Sequence, residues 1–190
     1  AAAWHPSRRW PFPCRVTGAD PSSLRPPMIL VSFHTGGTMA FRLLFEQLPG
    51  KVLALRFNET SVPPPPGVAR ATTGSGELER IAAAKHAGDA LREGGFVFMM
   101  LDGAGPWNTP IAAFDRTLFV SSGAFRLARI TEAPIVPVIA EWRCRRMEIV
   151  LGRPIAPADE ETMTARLASW LEGVFPAGYR RSRLVSRLSG

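Results

Sequence analysis

The chain has 190 residues, 46% of them hydrophobic and 21% charged, a length and balance that predict one domain with a buried core. Lys and Arg total 23 against 16 Asp and Glu, giving a formal net charge of +7 and a pI near 10.9, so an anionic partner is expected: a lipid head group, a phosphate-bearing substrate or nucleic acid. The apolar fraction and the lack of tripeptide or heptad repeats exclude collagen-like, coiled-coil and disordered classes, no apolar run reaches the ~18–20 residues of a membrane-spanning helix, and the two cysteines, Cys14 and Cys144, support neither a disulfide scaffold nor a zinc site.

Residues 1–25 read as an amino-terminal arm rich in Trp and Pro, without a signal-peptide apolar stretch. The run from Met28 to Phe33 follows Pro26-Pro27 and has the continuous apolar character of a buried central strand. After His34-Thr-Gly-Gly, the spacing of Met39, Leu43, Leu44 and Leu48 predicts a helix over about 38–48, ended by Pro49-Gly50. Lys51 to Arg56 reads as a second strand and Pro63 to Pro66 as a stiff extended loop. A helix is expected from Glu77 to Glu93, with acids in its first turn and Gly94-Gly95 past its end. The strand from Phe96 to Leu101 delivers Asp102 into a Gly-rich turn. A short strand at 118–120 precedes a helix to about Thr131 that Ser121 or Ser122 is placed to cap. Ile135 to Ile139 and Met147 to Leu151 are further strands, Pro137 requiring an edge or bulge in the first. A helix from Asp159 to about Phe175 completes the domain, taken as 26–178, and residues 179–190 form a basic tail. Apolar strands alternating with amphipathic stretches predict an α/β fold with a mixed, mostly parallel central sheet flanked by helices.

His34 carries the most chemical information. It follows a buried strand and precedes Gly36-Gly37 at the start of a helix, and in open α/β sheets ligands gather outside the carboxyl ends of the strands. Glycine permits close approach to the backbone, and free N–H groups at a helix start stabilise an oxyanion. A lone His at a strand end is as often purely structural.

The ordered blocks Met28-Ile-Leu-Val-Ser-Phe-His34, the strand ending in Arg56, Leu91-Arg-Glu-Gly-Gly-Phe-Val-Phe-Met-Met-Leu-Asp102, Gly123-Ala-Phe-Arg-Leu-Ala128 through Val138, and Met147 to Leu151 with Gly152-Arg-Pro-Ile155 span about residues 28–155. In order and spacing they resemble the lysophospholipid acyltransferase superfamily, and within it the bacterial lipid A biosynthesis (lauroyl or myristoyl) acyltransferases. The resemblance implies an acyltransferase-like fold and an O-acyltransferase that moves a fatty acyl group from an acyl-carrier-protein or acyl-coenzyme-A thioester to a hydroxyl of a lipid or lipid-like acceptor. His34 would be the general base, for which imidazole is suited near neutral pH. No metal or redox cofactor is implied. Gly36 and Gly37 are assigned by position as oxyanion donors, Arg56 as the basic residue of the next strand that meets a phosphate or carboxylate, and Ser122, Gly123 and Arg126 as an anion-binding helix start.

The family motif places an acid five residues after the His, where this chain has Met39. Either another carboxylate replaces it, or the domain is a weak or inactive member of the fold that binds lipid or an acyl carrier. Asp102 is the best substitute, because it ends a neighbouring strand as His34 ends its own; a turn-forming Asp-Gly is the alternative reading of that residue. Glu46 lies too far along the helix. The aromatic and Met residues of 96–100 read as core, whereas Trp107 and Trp142 suit an acyl chain or lipid interface.

Thr73-Gly-Ser-Gly76 is only part of a nucleophile elbow, and Gly103-Ala-Gly105 lacks the spacing of a dinucleotide fingerprint. In the tail, Arg180, Arg181, Arg183 and Arg187 interleave with Leu184 and Leu188, a pattern suited to peripheral contact with anionic lipid. Two cysteines and no spanning run predict a cytoplasmic protein held on the inner face of the cell membrane. A basic nucleic-acid-binding domain is the remaining alternative, but no nucleic-acid partner is expected because no reading motif accompanies the charge.

Overall fold

The computed structural model describes residues 13–35, 40–56, 64–74, 76–102, 108–143 and 146–175. Nine strands are described, β1 (Cys14–Gly18), β2 (Met28–Ser32), β3 (Val52–Arg56), β4 (Val68–Thr72), β5 (Phe96–Met100), β6 (Asn108–Ala113), β7 (Arg116–Ser121), β8 (Ile135–Arg143) and β9 (Arg146–Leu151). The described helices are α1 (Phe41–Phe45), α2 (Glu77–Arg92), α3 (Gly123–Thr131) and α4 (Glu160–Val174).

Seven strands form one sheet in the order β1-β9-β8-β2-β5-β3-β4, and β6 and β7 form a separate hairpin. Every pairing in the large sheet is parallel except β8 with β9. The fold is therefore α/β, with a mixed, mostly parallel sheet flanked by helices. β2 lies at its centre and is buried at all its residues, as a strand covered on both faces must be. Alternation divides the core in two. Ile29, Val31, Val97 and Ile135 pack under α2, α3, α4 and the hairpin, whereas Met28, Leu30, Phe96, Phe98 and Val136 pack under α1. On the α1 face, Phe98 meets the rings of both Phe41 and Phe45 with centroids 5.0 Å away.

Local signals account for the longer helices. Glu79 reaches back to the Gly76 N–H (3.0 Å), and Gly94, at φ +74, turns the chain out of α2. Asp159 caps α4 by accepting from the Thr162 N–H at 2.7 Å.

The structure departs from the sequence reading in five places. The helix expected over 38–48 is confined among the described residues to Phe41–Phe45. Residues 14–18, assigned to the arm, are an edge strand in register with β9, from Cys14 opposite Met147 to Gly18 opposite Leu151. β4 follows the Pro63–Pro66 loop in a stretch to which the sequence assigned no element, and it forms because β3 offers it a complete parallel ladder. The strand expected at 118–120 is the middle of a longer β7 paired with β6 through a turn in which Phe114 and Asp115 both take positive φ, 57° and 58°. That turn needs left-handed residues, and the usual Asn-Gly signal is missing; Phe114 is held instead by tertiary contacts, its N–H donating to Glu172 (2.7 Å) and its ring meeting Phe175. Finally, Pro137 lies in a strand interior to the sheet, not at an edge. It is the last residue of β8 in register with β2, and Val138 is the first in register with β9, so its missing N–H falls where one ladder gives way to the next.

Candidate active site

His34 and Asp102 stand just beyond the carboxyl ends of β2 and β5. These strands pair in parallel from Met28 opposite Phe96 to Ser32 opposite Met100, and the ladder is prolonged by the Leu101 N–H donating to the Ser32 carbonyl at 2.7 Å. The same register carried two residues further sets His34 opposite Asp102. Asp102 uses both carboxylate oxygens on this one residue: Oδ1 lies 2.8 Å from the His34 ring Nδ1, and Oδ2 accepts from the His34 backbone N–H at 2.9 Å. The His34 side chain is 51% exposed and that of Asp102 only 1%. An ionised carboxylate can only accept, so in the neutral imidazole Nδ1 carries the proton toward Asp102 and the Nε2 lone pair is directed away from it.

Neighbouring residues hold this pair in place. The Thr35 N–H donates to the Phe33 carbonyl (2.7 Å), and the Thr35 hydroxyl donates to the Ala140 carbonyl of β8. On the other side, the Ser121 N–H donates to the Leu101 carbonyl at 2.8 Å, fixing the start of α3 beside the end of β5. Thr35 carries no local sequence signal for this role, because its partner is 105 positions away.

Of the other residues singled out, Arg56 ends β3 and is exposed. Arg70 lies on the adjacent β4 opposite Ala54, so the two guanidiniums are diagonal neighbours. Burial first, and the Arg56 charge second, hold the Arg70 guanidinium below its ordinary pKa. Arg56, at the end of β3, and Arg70, in the middle of β4, thus lie on the β5 side of β2, the side of His34 on which Asp102 stands. Ser122 precedes α3 but does not cap it. Its φ and ψ, −72° and −10°, are already helical and its hydroxyl makes no capping bond; Ser121 instead faces the Gly123 N–H, at 3.5 Å. The Ser122 Oγ is fully buried and has no hydrogen-bond partner among the described residues, while Arg126 is exposed on α3. Gly36, Gly37, Met39, Trp107 and the tail lie outside the described residues. Trp142 is 45% exposed at the end of β8. Among the described residues no three or more His, Cys, Asp and Glu side chains are grouped to hold a metal ion, and no helix is long and apolar enough to cross a membrane.

No protein-family model matches this sequence, and no curated protein does. Among solved structures, the fold is similar to the crystal structure of the 1-acyl-sn-glycerophosphate (LPA) acyltransferase PlsC from Thermotoga maritima, with a TM-score of 0.52 at 15% sequence identity over 87% of this chain and 74% of that one. The chain thus shares the fold of that acyltransferase structure, a mixed, mostly parallel sheet flanked by helices.

Proposed function

We propose that the chain is an O-acyltransferase in which His34 is the general base and Asp102 its positioning acid. The observation that carries this reading is the two-point grip of a buried carboxylate on an exposed imidazole at the carboxyl ends of adjacent parallel strands, where α/β folds expose their chemistry. Asp102 supplies the acid that Met39 does not.

In the proposed step, His34 Nε2 takes the proton of an acceptor hydroxyl as its oxygen attacks the carbonyl carbon of an acyl-carrier-protein or acyl-coenzyme-A thioester. A C–O bond forms and the carbonyl oxygen becomes an oxyanion, for which the Gly36 and Gly37 N–H groups are the assigned donors. Collapse breaks the C–S bond, and the imidazolium returns its proton to the departing thiolate, yielding an ester and a free thiol. Asp102 fixes the Nδ1–H tautomer and steadies the imidazolium. Arg56, with Ser122, Gly123 and Arg126 at the start of α3, would receive phosphate groups of donor or acceptor. No metal or redox cofactor takes part. Peripheral attachment to the inner face of an anionic membrane would use the basic tail, and the exposed Leu78, Ile81 and Phe119 suit such contact.

The test is acyl transfer from acyl-coenzyme A and from acyl carrier protein to lysophosphatidate and to a lipid A precursor. His34→Ala should lower turnover by about 10²–10⁴-fold with an unchanged fold by circular dichroism. Full turnover by this variant would remove the mechanism, and an inert parent protein across the panel would favour a lipid- or carrier-binding role.

A further inference from the structure

His34 stands where two strand ladders stop, and the bonds around it show how each one ends. On the β5 side of β2, the Leu101 N–H donates to the Ser32 carbonyl at 2.7 Å. A regular parallel ladder would return the next bond from the His34 N–H to the Leu101 carbonyl. Instead the His34 N–H donates to Asp102 Oδ2 (2.9 Å), and the Leu101 carbonyl accepts from the Ser121 N–H (2.8 Å).

The β8 side ends by the same kind of exchange. There the Ile29 N–H donates to the Pro134 carbonyl at 2.9 Å. Thr35 faces the same edge of β2, and the same offset, 105 positions, separates it from Ala140, so the ladder assigns the Ala140 carbonyl to the Thr35 N–H. That N–H turns back to the Phe33 carbonyl instead, at 2.7 Å, and closes a three-residue turn with His34 at its apex. The Thr35 hydroxyl donates to the Ala140 carbonyl. The side chain thus fills the place in the ladder that its own backbone vacates.

The two exchanges differ in what they ask of the sequence. At the Leu101 carbonyl the replacement donor is a backbone N–H, which every residue but proline supplies. At Ala140, which is fully buried, it is a hydroxyl, and a buried carbonyl left without a donor is costly. The turn at His34 therefore depends on the identity of residue 35. We propose that Thr35 is a positioning residue for His34: its hydroxyl lets the chain turn at His34 without orphaning the Ala140 carbonyl, and the turn holds the imidazole on Asp102. The consequence for turnover rests on His34 acting as the general base; the consequence for the ring does not.

Thr35→Val, which exchanges the hydroxyl for a methyl group, tests this. Without the hydroxyl, the Ala140 carbonyl draws back the N–H of residue 35, the turn opens and the ring leaves Asp102. In ¹⁵N NMR at a pH where the imidazole is neutral, with the His34 signals assigned by their loss in His34→Ala, the parent should show the Nδ1–H form, Thr35→Val a mixture of tautomers and Thr35→Ser the parent spectrum. In acyl transfer, kcat should fall about 10²-fold in Thr35→Val with KM for donor and acceptor unchanged, and Thr35→Ser should restore it. Should the valine variant not fold, Thr35→Ala against Thr35→Ser isolates the hydroxyl in the same two readouts. A valine or alanine variant that loses stability but keeps the parent ring spectrum overturns the proposal, because Thr35 would then only support the fold. So does a serine variant that fails to restore that spectrum. If the parent transfers no acyl group and the spectrum still changes in Thr35→Val, acyl transfer is what fails and the positioning role stands.

Discussion

His34 and Asp102 are 68 positions apart, the offset that also pairs every residue of β2 with its partner in β5. The pair is thus a continuation of a strand ladder rather than a contact made by mobile loops, and its precision is inherited from the centre of the core. A site built this way depends on regular structure for its geometry and only on its outermost atoms for its chemistry.

Asp102→Asn should reduce acyl transfer by up to about 10⁴-fold, because an amide no longer enforces the Nδ1–H tautomer. The distinguishing readout is ¹⁵N NMR of the His34 ring: the parent protein should show an unprotonated Nε2, and the variant a mixture of tautomers. An unchanged ring spectrum together with lost activity would mean that Asp102 acts otherwise than by orienting His34.

Ser122→Ala should stabilise the fold, by about 1 kcal/mol in denaturant unfolding, since it removes a buried hydroxyl without a partner and sacrifices no capping bond. If the α3 start receives a substrate phosphate, truncation of the exposed Arg126 to Ala should raise KM for the phosphorylated substrate with little change in kcat, whereas Ser122→Ala, whose hydroxyl is buried out of reach, should leave KM unchanged.

Phe98→Ala should cost about 3–5 kcal/mol. Its ring bridges Phe41 and Phe45 on the α1 face, so truncation leaves a cavity between α1 and the sheet. Urea unfolding measures the loss; a cost under about 1 kcal/mol would mean that α1 collapses to fill the space.

The Asp159 carboxyl is held below the usual carboxylate range, first by the Thr162 N–H and then by the Thr162 hydroxyl. A depressed folded pKa gives stability that is present above the unfolded value of ~3.9 and lost as pH falls through the folded value. Asp159→Ala should therefore lower the Tm at neutral pH by a few degrees and lower it less below about pH 3. A Tm difference that stays constant across this range would contradict the linkage.

Gly18→Ala should destabilise by at least about 1–2 kcal/mol from the left-handed conformation alone, and hydrogen exchange should localise the effect to β1, whose end would collide with Leu151.

The sequence by itself determined the central strands, the long helices and both members of the His34–Asp102 pair as candidates. The reason is physical: a strand covered on both faces must be apolar throughout, and Gly94-Gly95 and Asp159 mark helix ends through bonds made within a few residues. Only the tertiary structure decided what pairs with what. β1 and β4 are strands because β9 and β3 offer them ladders, the β6–β7 turn is held at positive φ by α4 and Phe175, and Pro137 is accommodated where β8 changes partners. The tertiary structure also joined His34 to Asp102 through a shared register. Such contacts arise from strand order, and strand order reflects how the whole core is buried rather than any local stretch of chain.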